Sequence, residues 1–495
     1  MSEWSRRKGT VIMKLGEKWN RNKIFWLAAA VLLVLAPVIL MCLRSLQIGM
    51  NCFKLHPVWS DEMVYWRETY NFIHTGIKGG YTGANDLAPR LANFGTHSFM
   101  NTLVYAAFAM LFGWHDNSIM IYNLLFLILC LLVFVWWLKP EKTKLIWLTA
   151  SMICYLPLYY YLPTSMTEVL NYGGILLYTA ALLRYYQKHE EKWFLAAFLA
   201  TVFLCFYKLP NMVFFIPLVL AVFSGRITKK FCLHTVGCIV SAVVIYVVNS
   251  AFTAPYPWFF SEVFEEETVG KMISKVWGRF TENLQNYVSL SYGTGMERMQ
   301  RYFFLLMLAV LFLAIVWHIL RERKQSSLLL AVSYFLMLAA SFVLINAFYE
   351  VWDWRDYRMM APVAWSALIM LILRFPVRYV LAPAVAALLM FGYEFVKPNQ
   401  VFISWERTVP IETPEICEYI EFDENAADGF DNTLALEYVN LEIYCRLAPG
   451  IGVQNIFTPE AITRSKYILV EDTEYDFPGY HLEKEGDFGR LYVRD

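Results

Sequence analysis

At 495 residues, 58% hydrophobic and 17% aromatic but only 17% charged, the chain carries more apolar side chain than water-soluble domains bury. This excludes a soluble globular protein, and 42 basic against 42 acidic residues leaves no cationic excess with which to hold nucleic acid. Of the nine cysteines, Cys42, Cys130, Cys154, Cys205, Cys232 and Cys238 sit in apolar runs without the paired spacings a metal site needs, and read as small apolar residues. Cys417 and Cys445 lie in the tail, where only an oxidising surrounding would let them pair.

Residues 1–23 are basic (Arg6, Arg7, Lys8, Lys14, Lys18, Arg21, Lys23) and precede the apolar run Ile24 to Leu43. With no small-residue cleavage site, this predicts a signal-anchor whose N-terminus stays inside. Ten further apolar runs follow, at 119–138, 145–161, 169–183, 193–207, 212–223, 231–248, 302–320, 328–348, 359–373 and 379–395. Together they predict about eleven crossings, several shorter than the usual ~20 residues. Ser98 to Phe112 is apolar too, and its placement decides sidedness. If it does not cross, the basic loops at Lys139/Lys142/Lys144, Arg184/Lys188/Lys192, Arg226/Lys229/Lys230, Arg321/Arg323/Lys324 and Arg374/Arg378 all fall inside, as the positive-inside rule demands. It is therefore expected to lie in or dip into the outer face.

Loops 47–118 and 251–301 and the tail then share the outer side. From 398 to 495 the balance shifts to roughly 20 acidic against roughly 7 basic residues, with strand-like runs at Leu434 to Val439, Tyr467 to Glu471 and Gly489 to Val493. The expected architecture is a mainly α, polytopic membrane helix bundle over 24–397 with a small α+β extracytoplasmic domain over 398–495.

Candidate chemistry gathers on the outer side. Asp61 and Glu62 follow a possible cap at Ser60 and open a helix whose Met63, Trp66, Tyr70 and Ile73 share one face before Gly76 stops it. Acids in a first turn are also favoured by the helix dipole alone. Lys208, in Tyr207-Lys208-Leu209-Pro210-Asn211, sits between two short apolar runs, where an ammonium below the membrane surface either snorkels or serves a function. Arg355 and Arg358, within Trp352-Asp353-Trp354-Arg355-Asp356-Tyr357-Arg358, offer planar forks suited to phosphate, or form an ordinary aromatic belt neutralised by Asp353 and Asp356. Glu168 either faces the same cavity or merely opens its helix, and His97 is a weak polar candidate beside the bland reading of an exposed histidine. Trp258, Phe259, Phe264, Met272, Ile273, Val276, Trp277 and Phe280 among charges predict an interfacial amphipathic helix. No metal site is indicated.

Taken in order, Asp61-Glu62, Leu111-Phe112-Gly113, Lys208-Leu209-Pro210 and Arg355-Asp356-Tyr357-Arg358 resemble the motifs of GT-C class membrane glycosyltransferases, especially the protein O-mannosyltransferase and lipid A aminoarabinose transferase branch. Two departures stand out: Tyr357 precedes Arg358 instead of following it, and no basic-Pro-Pro element follows the acidic loop. The resemblance implies inverting transfer of a sugar from a polyprenyl-phosphate donor in the bilayer to a glycan, lipid or protein acceptor on the outer face of a bacterial plasma membrane; no cofactor is expected, with a divalent ion left open by the sequence. In it Asp61 would be the base, and Glu62 would orient Asp61, the acceptor or a water. Lys208 with Arg355 or Arg358 would hold the donor phosphate, while Glu168 and His97 would line the cavity. A lipid-linked glycan flippase or transporter is the alternative, although the ionisable residues lie at helix ends instead of near the bilayer midplane.

Overall fold

The computed structural model describes residues 3–86, 91, 99–223, 225–252, 263, 266, 268–288, 309–321, 325–349, 358–375, 377–396, 413–426, 428–437, 441–456, 461–471 and 475–495. The first helix, α1 (Glu3–Ile48), contains the first apolar run and continues past it. After α2 (Ser60–Thr75), β1 (Thr82–Ala84) and α3 (Phe99–Phe112), the bundle is built by α4 (Ser118–Leu138), α5 (Lys142–Ile153), α6 (Leu156–Tyr161), α7 (Glu168–Lys188), α8 (Glu191–Tyr207), α9 (Phe215–Val222) and α10 (Lys229–Phe252). Then come α11 (Val269–Val288), α12 (Ala309–Arg321), α13 (Gln325–Phe348), α14 (Ala361–Arg374) and α15 (Val377–Val396).

Among the described residues four helices are long and apolar enough to cross a membrane: Asn22–Ile48, Ser118–Leu138, Lys229–Phe252 and Leu328–Phe348. Others of the expected crossings are shorter or broken. Residues 145–161 divide into α5 and α6, with Pro157 in the first turn of α6, and the hairpin after α8 passes through a 3-10 turn, Leu209–Phe214, before α9. On α10 the side chains of Val236, Ile239, Val240, Val243 and Val247 point away from the protein. So continuous an apolar face is stable only against hydrocarbon.

At the centre stands α7, buried along nearly its whole length and packed against α4, α8 and α14. Gly173 and Gly174 permit this. A Cβ on the first would come within 2.6 Å of the Phe126 ring, and on the second within 2.8 Å of Leu204, so neither neighbouring helix tolerates a side chain there.

α3 is fourteen residues long, about 21 Å, short of the roughly 30 Å hydrocarbon core. Its Met110, Leu111 and Phe112 are exposed, in keeping with a helix that dips into the membrane face. α11 is amphipathic as expected, exposing Val269, Ile273 and Trp277 at i, i+4 and i+8 while Asn283 Nδ2 donates to Asn346 O (2.9 Å) and Tyr349 O (2.6 Å). Trp258, Phe259 and Phe264 lie outside the described residues.

The C-terminal strands β2 (Thr433–Leu436), β4 (Tyr467–Val470) and β6 (Gly489–Arg494) fall where the sequence predicts them; β3 (Gly452–Asn455) and β5 (Tyr480–Gly486) are additional. The sheet order is β1-β3-β2-β4-β6-β5, with β1, β3, β2 and β4 parallel and β6 and β5 antiparallel. Its first strand comes from the loop after α2, with Thr82, Gly83 and Ala84 opposite Val453, Gln454 and Asn455. The boundary expected at 398 lies outside the described residues. The tail does not complete its own sheet, because the edge of β3 is covered by a strand more than three hundred residues earlier. Between its strands the described tail uses short 3-10 turns, such as Glu415–Tyr419 and Leu441–Cys445, and Leu434, Leu436, Val453 and Leu469 belong to the same apolar core as the bundle.

Candidate active site

The loop His56 to Trp59 turns into α2 through Glu62, whose Oε2 accepts from Val58 N and Trp59 N at 3.0 Å each. This satisfies amides at the helix start, as the acid of a capping box does. Trp59 has no acceptor with which to reciprocate, so the acid alone closes this cap. Glu62 Oε1 accepts from Ser165 N at 2.7 Å, and the residue is fully buried. One carboxylate thus ties the start of α2 to the loop before α7. That loop is held from its other side too, since Asn123 Nδ2 donates to Met166 O (2.7 Å) and Tyr105 Oη donates to Asn123 Oδ1 (2.8 Å).

Asp61, one residue earlier, points elsewhere. Its Oδ2 accepts from both terminal nitrogens of Arg358 at 3.3 Å. Arg358 Nε lies 3.9 Å from Glu168 Oε1, and that same oxygen accepts from Lys208 Nζ at 3.0 Å. Four charges from four separate segments therefore form one chain: Asp61, Arg358, Glu168, Lys208. Burial grades along it, with side-chain exposures of 29% for Asp61 and 26% for Arg358 falling to 10% for Lys208 and 1% for Glu168.

Lys208 owes its place to the break between α8 and the 3-10 turn. It adopts an extended backbone (φ −146, ψ 124), and Pro210 lacks the N–H a continuing helix would need. Asn211 fixes the break by donating to Leu204 O (2.7 Å) and to Asn171 Oδ1 on α7 (3.2 Å). Glu168 sits in the first turn of α7 with its second oxygen, Oε2, buried and without a hydrogen-bond partner among the described residues. A buried carboxylate oxygen left open in this way is costly unless a ligand or water reaches it.

Two neighbours of this chain of charges, and one buried arginine elsewhere in the bundle, were not signalled by the sequence motifs. Tyr65, one turn after Asp61, is buried beside the chain of charges; burial first, then the Asp61 and Glu168 carboxylates, push its phenol up, so it stays a neutral donor. Its spacing, i+4 from Asp61, was the available signal. The Tyr207 hydroxyl donates to Thr167 Oγ1, next to Glu168. Arg44, near the end of α1, is fully buried, donates to Gln47 Oε1 at 2.6 Å and stacks 4.8 Å over the Tyr159 ring. An arginine at the expected outer end of a span runs against the positive-inside pattern, and that was its signal.

Of the residues singled out from sequence, Asp61, Glu168, Lys208 and Arg358 are brought together, and Glu62 lies beside them with its lone pairs on backbone amides. Arg355 and His97 lie outside the described residues. Cys417 and Cys445 are free thiols. Among the described residues no group of three or more His, Cys, Asp or Glu side chains gathers in metal-binding fashion.

No protein-family model matches the sequence, and neither does any curated protein. Among solved structures the chain aligns with ArnT from Cupriavidus metallidurans bound to undecaprenyl phosphate at 12% identity, covering 95% of this chain and 97% of that one with a TM-score of 0.46. The apo form of the same protein gives 12% identity, 97% and 98% coverage and a TM-score of 0.46. The archaeal oligosaccharyltransferase AglB from Archaeoglobus fulgidus, in complex with an inhibitory peptide and a dolichol-phosphate, gives 10% identity, 88% and 64% coverage and a TM-score of 0.42.

Proposed function

We propose that this chain is a membrane glycosyltransferase that moves a sugar from a polyprenyl-phosphate carrier to an acceptor on the outer side of the membrane, with inversion at the sugar carbon. The observation that carries the reading is the graded chain of charges, two acids and two bases from four segments, open to solvent at Asp61 and buried at Glu168.

The chemistry follows from what each group is able to do. An acceptor hydroxyl attacks C1 of the sugar while Asp61 takes its proton. The bond from C1 to the phosphate oxygen breaks, and the electron pair leaves with polyprenyl phosphate. Arg358 and Lys208 stabilise that growing charge, the planar guanidinium by two parallel hydrogen bonds and the ammonium as a point charge. Arg355, three residues before Arg358, is proposed to join them.

With Arg358 held by Asp61 at 3.3 Å, longer than a tight charge-assisted bond, a donor phosphate is a better partner for it than the carboxylate. Donor binding then draws Arg358 off Asp61 and leaves that oxygen for the acceptor proton. Glu168 holds the Lys208 ammonium in place through a 3.0 Å hydrogen bond. Glu62, which accepts from three backbone amides, acts as a positioning residue that fixes α2 against the loop before α7. The sidedness of the basic loops supports an outer-face site in a bacterial plasma membrane.

The test is release of polyprenyl phosphate from a panel of synthetic short-chain polyprenyl-phosphate sugars by purified protein. Release by the wild type and none by Asp61→Asn is expected. Equal release by both removes Asp61 as the base. No release with any donor, combined with lipid-linked glycan flipping in vesicles, moves the function to transport.

A further inference from the structure

On the far side of α2 from Asp61 lies a cavity of about 710 Å³ between the first loop, the start of α4 and the C-terminal domain. Its size falls in the range of roughly 300–1,000 Å³ typical of small-molecule sites. We infer that this cavity is a saccharide-binding subsite, which holds the acceptor glycan while its reacting end reaches around the start of α2 to Asp61. The assignment of the ligand as acceptor rests on the glycosyl-transfer reading; the assignment of its chemical class rests on the walls.

One wall is aromatic. Trp66 and Tyr70 stack at 5.0 Å with 19° between their planes, and Trp114 lies 5.6 Å from Trp66 at 46°. Gly113 brings Trp114 there. At φ +81 it ends α3 with a reversal that other residues resist, and the Leu111-Phe112-Gly113 element thereby acquires a structural role. Trp66 is buried behind the other two, and the half-exposed rings of Tyr70 and Trp114 carry negative quadrupole on their faces, which suits the weakly positive C–H face of a pyranose.

The other wall is polar. Arg446 donates to Asp116 through both terminal nitrogens, at 3.1 and 2.8 Å, and Lys54, His56, His115 and Asn117 complete the lining. Trp114 Nε1 is enclosed yet donates to no acceptor among the described residues. An apolar ligand such as a lipid tail would strip water from the charged and amide groups of this wall without replacing their hydrogen bonds. Among the described residues Asp116 neutralises Arg446, which leaves Lys54 as the one uncompensated full charge of the lining, too little to hold a strong polyanion. A hydroxyl-rich ring satisfies both walls.

Position fits as well. Trp66 lies five residues after Asp61, about 7.5 Å along the helix axis. Lys54 and His56, from the segment that leads into α2, belong to the same lining, so the cavity and Asp61 share the start of this helix.

The purified full-length chain in detergent is to be screened on an array of bacterial surface glycans, and the strongest binder followed by saturation-transfer NMR. Binding is expected, weakened about tenfold or more in Trp114→Ala and retained in Asp61→Asn, which fails to release polyprenyl phosphate. Where Trp114→Ala fails to fold, Tyr70→Leu removes a ring and keeps an apolar side chain; it is expected to weaken binding about fivefold. No binding to any glycan by folded wild type, or undiminished binding by the ring variants, overturns the subsite. Donor turnover without glycan binding would sink the subsite alone, whereas glycan binding without donor turnover would sink the transfer reading alone.

Discussion

Helix α2 carries charge on two sides, and the two are neutralised differently. Towards the C-terminal sheet, Arg67 is fully buried and donates to the carbonyls of Leu447 (2.5 Å), Ala448 (2.5 Å) and Ile451 (2.9 Å). Asn71 Oδ1 accepts from Gly450 N at 3.0 Å, and Asp86, just beyond β1, accepts from the amides of Thr463, Arg464 and Ser465. Towards the bundle, Asp61, Arg358, Glu168 and Lys208 are paired with one another's side chains instead. Backbone partners cannot leave without unfolding a segment, whereas side-chain partners can be exchanged for a substrate. The first region is built as a clamp and the second as a site, and the adjacent acids Asp61 and Glu62 fall on opposite sides of that distinction.

The largest test of this contrast is Asp61→Asn. Its turnover is expected to fall about 10²–10⁴-fold, with urea unfolding shifted by less than about 1 kcal/mol. A large loss of stability would place Asp61 with the clamp.

Next comes Lys208→Ala, which strands the Glu168 carboxylate. It should cost about 3–5 kcal/mol in stability and weaken both donor binding and rate. Adding Glu168→Gln should restore much of the stability and none of the activity. A double variant that recovers turnover would make the pair structural.

Arg67→Met is expected to cost about 3 kcal/mol, since three buried carbonyls lose their donor, while turnover per folded molecule holds. Limited proteolysis that cuts the C-terminal domain earlier than in wild type would register the loosened clamp; an unchanged pattern would show that the sheet holds without it. Glu62→Gln retains an acceptor and should cost about 1–2 kcal/mol, with a rate falling far less than for Asp61→Asn. Equal losses in the two variants would erase the distinction between neighbours.

The smallest effect concerns the thiols at the clamp. Burial pushes Cys445 up to about 12 and Cys417 up to about 11. Because burial disfavours the thiolate, at pH 8 only about 10⁻⁴ of Cys445 is ionised. Alkylation by iodoacetamide is therefore expected to be slow in the folded chain and to appear on unfolding. Rapid labelling at pH 8 would mean that the clamp opens in solution.

Much of the site was legible because its residues break local rules. Lys208 interrupts an apolar hairpin, Asp61 and Glu62 open a helix at a predicted membrane edge, and Glu168 opens another. What stayed hidden was partner choice. Nothing in a Asp-Glu dipeptide says which carboxylate meets Ser165 N and which meets Arg358, because that depends on the direction of α2 relative to α7. The strand β1 was unreadable for a related reason: three residues, Thr82-Gly83-Ala84, have too little pattern to mark a strand. They become one only because the edge of β3 supplies hydrogen-bond partners.

Composition and apolar periodicity by themselves determined that this chain lives in a membrane and that its ionisable residues gather at the ends of its apolar runs. Those properties are sums over local segments and need no knowledge of neighbours. Tertiary structure alone decided that the first loop completes the C-terminal sheet, that four charges from four segments meet, and that Trp114 closes an aromatic wall behind α2. Each is a long-range pairing, set by which buried polar groups find partners once the helices have packed.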